Sequence, residues 1–226
     1  MNQLNHKTLF RQKLISSTIT IVFLVAVMGI ASLFAIWNIE REYNQSLFKV
    51  ELLKNISEQL SQAQINLKSA DQEWKNLIMR ARDKETKIKY NGLFEQKVSA
   101  FQQNIENIEN NNKTPILVLK DINNLKKDSL IILNQYRDLI NKYTSLSIME
   151  GILLDKKTMG LTKNIDNKLF IINQEINEEY LALQLKVQNN FETRYHQLRQ
   201  FLILVILFAL FLSSINLLKA LRVSSE

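Results

Sequence analysis

The sequence predicts an all-α protein: an antiparallel four-helix bundle, membrane-anchored through a transmembrane helix on either side of it. Three observations predict this. Residues 14–37 and 201–218 are uncharged apolar runs of 24 and 18 residues, and about 20 apolar residues carry a helix across a bilayer. The 226-residue chain has only four Gly and one Pro, too few turn formers for a β-rich fold. Between the runs, residues 38–200 place apolar side chains at alternating spacings of three and four, the period of helices packed side by side.

The N-terminal tail, residues 1–13, carries Lys7, Arg11 and Lys13 and no acid. A basic tail before an apolar run has the form of a targeting segment, and Gly29-Ile30-Ala31 offers small residues for cleavage. The run continues to Trp37, longer than a signal peptide needs, so an uncleaved anchor is expected. Basic residues beside a span stay in the cytoplasm. The short tails hold five (Lys7, Arg11, Lys13, Lys219, Arg222), at higher density than the five that flank the spans on the other side (Arg41, Lys49, Lys186, Arg194, Arg199). Both termini are therefore expected in the cytoplasm and residues 38–200 outside it.

The first soluble helix continues from the first span without a breaker. Leu53, Ile56, Leu60, Ala63, Leu67, Ala70, Trp74, Leu77 and Ala81 form its heptad seam. The period shifts at Arg82-Asp83-Lys84, where Asp83 is a suitable N-cap. Tyr90, Phe94, Val98, Phe101, Ile105 and Ile108 mark the second helix, which ends in the run from Glu109 to Pro115. Thr114 as N-cap and Pro115 at the first helical position start the third. That helix is expected to reach about Met149, on one stripe of Leu119, Ile122, Leu133, Tyr136, Ile140 and Tyr143 and a second of Leu125, Ile132, Leu139 and Leu146. Gly151 and Gly160 bracket an expected loop. The fourth helix starts near Leu161, uses Ile165, Leu169, Ile172, Ile176, Leu183, Val187 and Leu198, and enters the second span. Residues 219–226 form a short cytoplasmic tail. Because the first and last helices both run into spans, the turn near Arg82 and the Gly151–Gly160 loop are expected to meet at the membrane-distal tip.

Composition excludes several classes of function. There is no Cys and only two His, so no disulfide, thiolate site or histidine metal cluster is expected. The net charge is +7, of which the tails supply +4 and residues 38–200 the remaining +3. No basic face with interleaved aromatics occurs, so nucleic acid is not an expected partner. Paired carboxylates, a Gly-rich phosphate loop and a nucleophile motif are all missing; neither catalysis nor a cofactor is expected.

The local sequence then resembles a known family. Gln72-Glu73-Trp74-Lys75-Asn76-Leu77-Ile78-Met79-Arg80-Ala81 resembles the Gln-Glu-Trp-Lys-Asn…Leu-Arg-Gly run near the end of the first sensor helix in bacterial methyl-accepting chemotaxis receptors. Lys89-Tyr90…Phe94 resembles the Lys-Tyr…Phe after it, and Gly151-Ile152…Asp155-Lys156…Thr158 echoes a Gly-Ile-Asp-Arg…Thr segment before the last helix. The likeness covers roughly residues 10–220. Ala81 stands where the family has Gly, and Leu153-Leu154 interrupts the loop echo. The resemblance implies a periplasmic sensor domain in a bacterial inner membrane, and a homodimer paired through its first helices. Family members continue into a HAMP linker and a methylated coiled coil that controls a histidine kinase. With only residues 219–226 after the second span, a sensor without its own output is expected; a response then needs a mixed dimer with a full-length receptor, or there is none.

The expected ligand is a small anion at the tip. Arg80 and Arg82 match carboxylates in bidentate geometry, and the resemblance favours that place. Lys75 adds charge, Thr158 a hydroxyl from the facing loop. Trp74 lies on the seam, which makes it a core residue first and an apolar wall second. Lys68, Lys75 and Arg82 repeat every seventh residue beside the seam, as a solvated face over the core also would. Two other classes of function fit the same architecture: the sensor half of a histidine kinase or diguanylate cyclase, and a non-sensing membrane adaptor.

Overall fold

The computed structural model describes residues 2–111, 113–143 and 145–224. Among them the fold is all-α and without strands. Its helices are α1 (Asn2–Arg80), α2 (Lys84–Glu109), α3 (Ile116–Asn141), α4 (Ile148–Thr158) and α5 (Lys163–Ser224). Asn112 of the expected inter-helix loop, and Ser225 and Glu226 of the expected tail, lie outside the described residues; so do the side chains of Lys7, Arg11, Lys13 and Arg222. The chain divides into two compact units: Met1–Leu47 with Leu185–Glu226, and Phe48–Gln184.

The first unit holds both apolar runs. Each lies in a helix long and apolar enough to cross a membrane. Val22, Phe23, Ile30 and Phe34 on α1 and Leu204, Leu207, Leu210 and Phe211 on α5 are exposed. Polar groups inside the runs find partners within the helix or on the other run. The buried Ser32 hydroxyl donates to the Met28 carbonyl at 2.8 Å, and Asn216 Nδ2 donates across to Ser17 Oγ at 2.8 Å. Outside the runs, the Tyr43 and Phe191 rings lie 4.4 Å apart and Arg194 pairs with Glu42.

The second unit carries the core. Every residue of the predicted α1 seam from Leu53 to Ala81 is buried there, and so are Phe94, Val98, Phe101, Ile105 and Ile108 of α2. From α3 come Val118, Ile122, Leu125, Leu133, Tyr136 and Ile140, and from α5 Ile165, Leu169 and Ile176. The predicted seam thus packs into the subunit's own interior. Between α1 and α5 a polar ladder fixes register. Asn173 accepts from Ser57 at 2.7 Å and donates to Ser61 at 2.9 Å, and Gln64 donates to Asp166 at 2.8 Å. Arg137–Glu95 at 2.7 Å and Lys126–Glu109 at 2.5 Å tie α3 to α2.

The connections differ from the sequence reading in two places. Thr114 does not cap α3: the N-cap is Pro115, without a side-chain cap bond. The buried Thr114 hydroxyl instead donates to the Ile108 carbonyl at 2.9 Å, answering one of the orphan carbonyls that end α2. Nor does α3 reach Met149. It stops at Asn141, and most of the expected Gly151–Gly160 loop is helix α4. The cause is a capping box: Ser147 Oγ accepts from the Glu150 N–H while the Glu150 carboxylate accepts from the Ser147 N–H. The Ser147 N–H, and then the Ser147 hydroxyl, hold the Glu150 carboxyl below its usual pKa. Gly160, at φ 80°, makes the left-handed turn into α5 that a side chain would disfavour. The expected Asp83 cap is present, as a second box with Thr86. Its carboxyl, too, is held low, chiefly by the Thr86 backbone N–H.

Candidate functional site

The second unit has a cleft of about 460 Å³ beside the last turns of α1, the end of α4 and the start of α5. Local sequence explains its shape. Gly151 lets α4 approach α1 so closely that an added Cβ would stand 2.5 Å from the Ile78 carbonyl oxygen. Leu146 N–H donates to the Ala81 carbonyl at 2.8 Å, and Arg82 Nη1 to the Leu146 carbonyl at 3.0 Å. α4 is therefore pinned at both ends of its first two turns, and its last turn delivers Thr158 to the α1 surface.

At the back of the cleft sits Trp74, 1% exposed. Its Nε1 donates to Thr158 Oγ1 at 2.9 Å, and that hydroxyl donates to the Leu154 carbonyl at 2.9 Å. The indole meets Tyr136 edge-on, centroids 4.6 Å apart at 84°, and Phe94 lies 5.8 Å away. Both buried polar ends are paired, as buried donors must be. The Tyr136 hydroxyl lies 3.4 Å from Asp71 Oδ1. Burial, and then the Asp71 charge, raise its pKa well above the ordinary phenol value.

The mouth is charged and balanced. Lys68, Lys75 and Lys163 face Asp71, Asp155 and Asp166. Lys75 Nζ is 2.8 Å from Asp71 Oδ2 and Lys68 Nζ 3.4 Å from Asp166 Oδ1. The hydrogen bond to Asp71 raises the Lys75 pKa, so that this amine stays protonated. Thr162 Oγ1 adds a long contact of 3.4 Å to Asp71 Oδ1.

No family model, curated protein or solved structure matches this chain. Its site has to be judged on the geometry alone.

Of the five residues expected to bind a ligand, the fold brings Trp74, Lys75 and Thr158 together at the cleft. Arg80 and Arg82 are not among its lining residues. Arg80 Nη1 donates to the Tyr90 hydroxyl at 3.2 Å on the α2 side. Arg82 is occupied by the Leu146 carbonyl. The cations at the cleft are lysines. Asp71 and Asp166 were missed by sequence reasoning. Asp71 carried a signal, its position four residues before Lys75 on a helix. Asp166 carried none, because its partners Gln64 and Lys68 lie about a hundred residues away. Among the described residues no cluster of His, Cys, Asp and Glu could hold a metal ion.

Proposed function

We propose that the chain is a membrane-anchored sensor of the chemoreceptor type, with a small organic anion bound in the Trp74–Thr158 cleft. In this reading α1 and α5 cross the bacterial inner membrane. The basic tails lie in the cytoplasm, and α1 from residue 48, α2, α3 and α5 to residue 184 form an antiparallel four-helix bundle outside it. Exposure of large apolar side chains in the first unit supports the anchoring: each would cost about 1.5–3 kcal/mol in water relative to burial, and lipid removes that cost. The orientation is checked with a single cysteine at Ser99, an exposed position on α2. It should react with a membrane-impermeant thiol reagent in intact spheroplasts; reaction only after lysis would reverse the topology.

One observation carries the sensing role. The cleft is walled by α1 and α5, and each of these helices is unbroken from the cleft to its apolar run. A ligand that prefers one offset of α1 against α5 shifts the population of offsets by its differential affinity and no more. Lys68 and Lys75 supply the charge, Thr162 a hydroxyl and the exposed Met159 the apolar contact, with Trp74 buried behind them. The second reading, a non-sensing adaptor, predicts no stabilisation by any small molecule.

The test is a thermal-shift screen of the full chain in detergent against succinate, citrate, malate and phosphate. A ligand present at a hundred times its Kd stabilises by about 2.7 kcal/mol. Lys75→Ala should lose at least tenfold in affinity and Arg80→Ala should bind as wild type. The opposite pattern would move the site to the α1–α2 turn, and no shift with any anion would leave the adaptor reading.

A further inference from the structure

The end of the second unit formed by α4 and the α1–α2 turn has a surface that ligand sensing does not use. Helix α4 packs through Gly151, Leu154 and Thr158, all buried. Its opposite face presents Ile148, Met149, Ile152 and Leu153, each more than half exposed, and Met159 follows at 83%. Five large aliphatic or thioether side chains in twelve residues lie open to solvent on a helix that is pinned in place. Surface helices of soluble proteins turn such faces inward.

The same end concentrates charge. Residues 80–90 and 142–163 carry nine Lys/Arg against four Asp/Glu, a net +5, whereas residues 38–200 as a whole carry +3. The remainder of that region is therefore −2. Leu146 on Ala81, Arg82 on Leu146 and Lys87 on the Tyr143 carbonyl hold the two segments together. Lys156 and Lys157 stand exposed in the last turn of α4, beside the apolar face.

We propose that this end is a docking surface for an anionic lipid bilayer, with the apolar face of α4 entering the headgroup region and the lysines meeting lipid phosphates. Composition decides between lipid and protein. Protein interfaces are depleted in Lys and enriched in Tyr and Trp. Here the apolar face is Ile, Met and Leu, and the charge beside it is mainly Lys, the make-up of an interfacial helix. A second copy of the chain is a poor occupant, because two ends of net +5 repel.

The experiment uses the full chain in phosphatidylcholine nanodiscs, floated with added vesicles of phosphatidylcholine alone or with one third phosphatidylglycerol. Wild type should float with the anionic vesicles, at least tenfold less with the neutral ones, and less as salt screens the charge. Ile152→Glu should abolish flotation while keeping the wild-type melting temperature, since the side chain touches no core. Each lysine beside an anionic surface strengthens association about fivefold, so Lys156→Glu with Lys157→Glu should weaken it at least about 25-fold. The proposal is overturned by wild type that ignores anionic vesicles, by equal flotation with both vesicle types, or by undiminished binding of the folded variants. Concentration-dependent self-association through α4 without vesicle binding would overturn it in favour of a second copy.

Discussion

Gly151→Ala tests the seating of α4 on α1, on which the shape of the cleft depends. An Ala Cβ would lie 2.5 Å from the Ile78 carbonyl oxygen and 3.5 Å from its carbon. That oxygen belongs to the backbone of α1 and cannot rotate away, so α4 itself has to move. Moving it stretches the Leu146–Ala81, Arg82–Leu146 and Trp74–Thr158 hydrogen bonds together. Overpacking of this kind costs about 1–3 kcal/mol, and Ala returns about 0.5–1 kcal/mol of helix preference. The net expectation is a loss of roughly 1 kcal/mol, within a range of about 0–2.5. Gly92 is the control. It lies within α2, and a Cβ there meets nothing within 4 Å, so Gly92→Ala keeps the propensity gain alone. The assay is thermal denaturation of the full chain in detergent, followed by the helical signal. For a domain of this size 1 kcal/mol moves Tm by about 2–4 °C. Gly151→Ala should melt below wild type and Gly92→Ala above it. A Gly151→Ala protein as stable as wild type would refute the close approach of α4 to Ile78.

Two further outcomes follow from burial. The raised pKa of Tyr136 means that the folded state keeps a proton which the unfolded state releases near pH 10, so its contribution is whole below pH 10 and falls as pH rises. Stability should drop by about 1.4 kcal/mol per pH unit above that point, and Tyr136→Phe should flatten the alkaline limb; an unchanged limb would mean the hydroxyl is not buried. If two copies pair through α1, disulfide crosslinking across residues 45–64 should peak at the exposed Asn55, Glu58 and Gln62. Peaks at Ile56 and Leu60 would show the seam in a dimer contact rather than in the core.

The helices and most of the core were legible because they are periodic. Each buried residue of the α1 seam repeats within one helix, so a single stretch of sequence carries the whole signal. The same holds for Phe94 to Ile108 on α2. Connections were harder, because competing caps differ by one or two hydrogen bonds. Thr114 and Pro115 made a good local start for α3, yet the Thr114 hydroxyl found the Ile108 carbonyl. The Ser147-x-x-Glu150 box was present in the sequence and would have placed α4; the two glycines drew the reading toward a loop. The expected closeness of Trp74 and the loop carrying Thr158 is met by their 2.9 Å hydrogen bond. The choice between Arg80, Arg82 and the lysines was not legible, since it turns on which flank of α1 meets α5. Arg80 turns toward Tyr90 of α2, whereas Lys68 and Lys75 turn toward the cleft.

Lys68 and Lys75 at the cleft mouth are already paired, so a ligand that meets them has to exchange partners. Lys68 and Lys75 are 62% and 60% exposed in their ion pairs, and such pairs are worth about 0–1 kcal/mol. A charge-assisted hydrogen bond to a ligand carboxylate contributes about 1.5–3 kcal/mol, so the exchange is favourable at each lysine. The aspartates are not orphaned by it. Asp166 keeps the Gln64 amide, and Asp71 keeps the Tyr136 and Thr162 hydroxyls. With the two exchanged pairs subtracted, the lysine contacts supply about 1–6 kcal/mol, short of the roughly 8 kcal/mol of a micromolar site. The rest has to come from apolar contact with the exposed Met159, where about 100 Å² of buried surface gives ~2.5 kcal/mol. Inorganic phosphate has no apolar body and so lacks that part. In one screen, therefore, dicarboxylates with a carbon chain should bind tens of times more tightly than phosphate. Equal affinity would mean that the lysines act alone and that Met159 adds no contact.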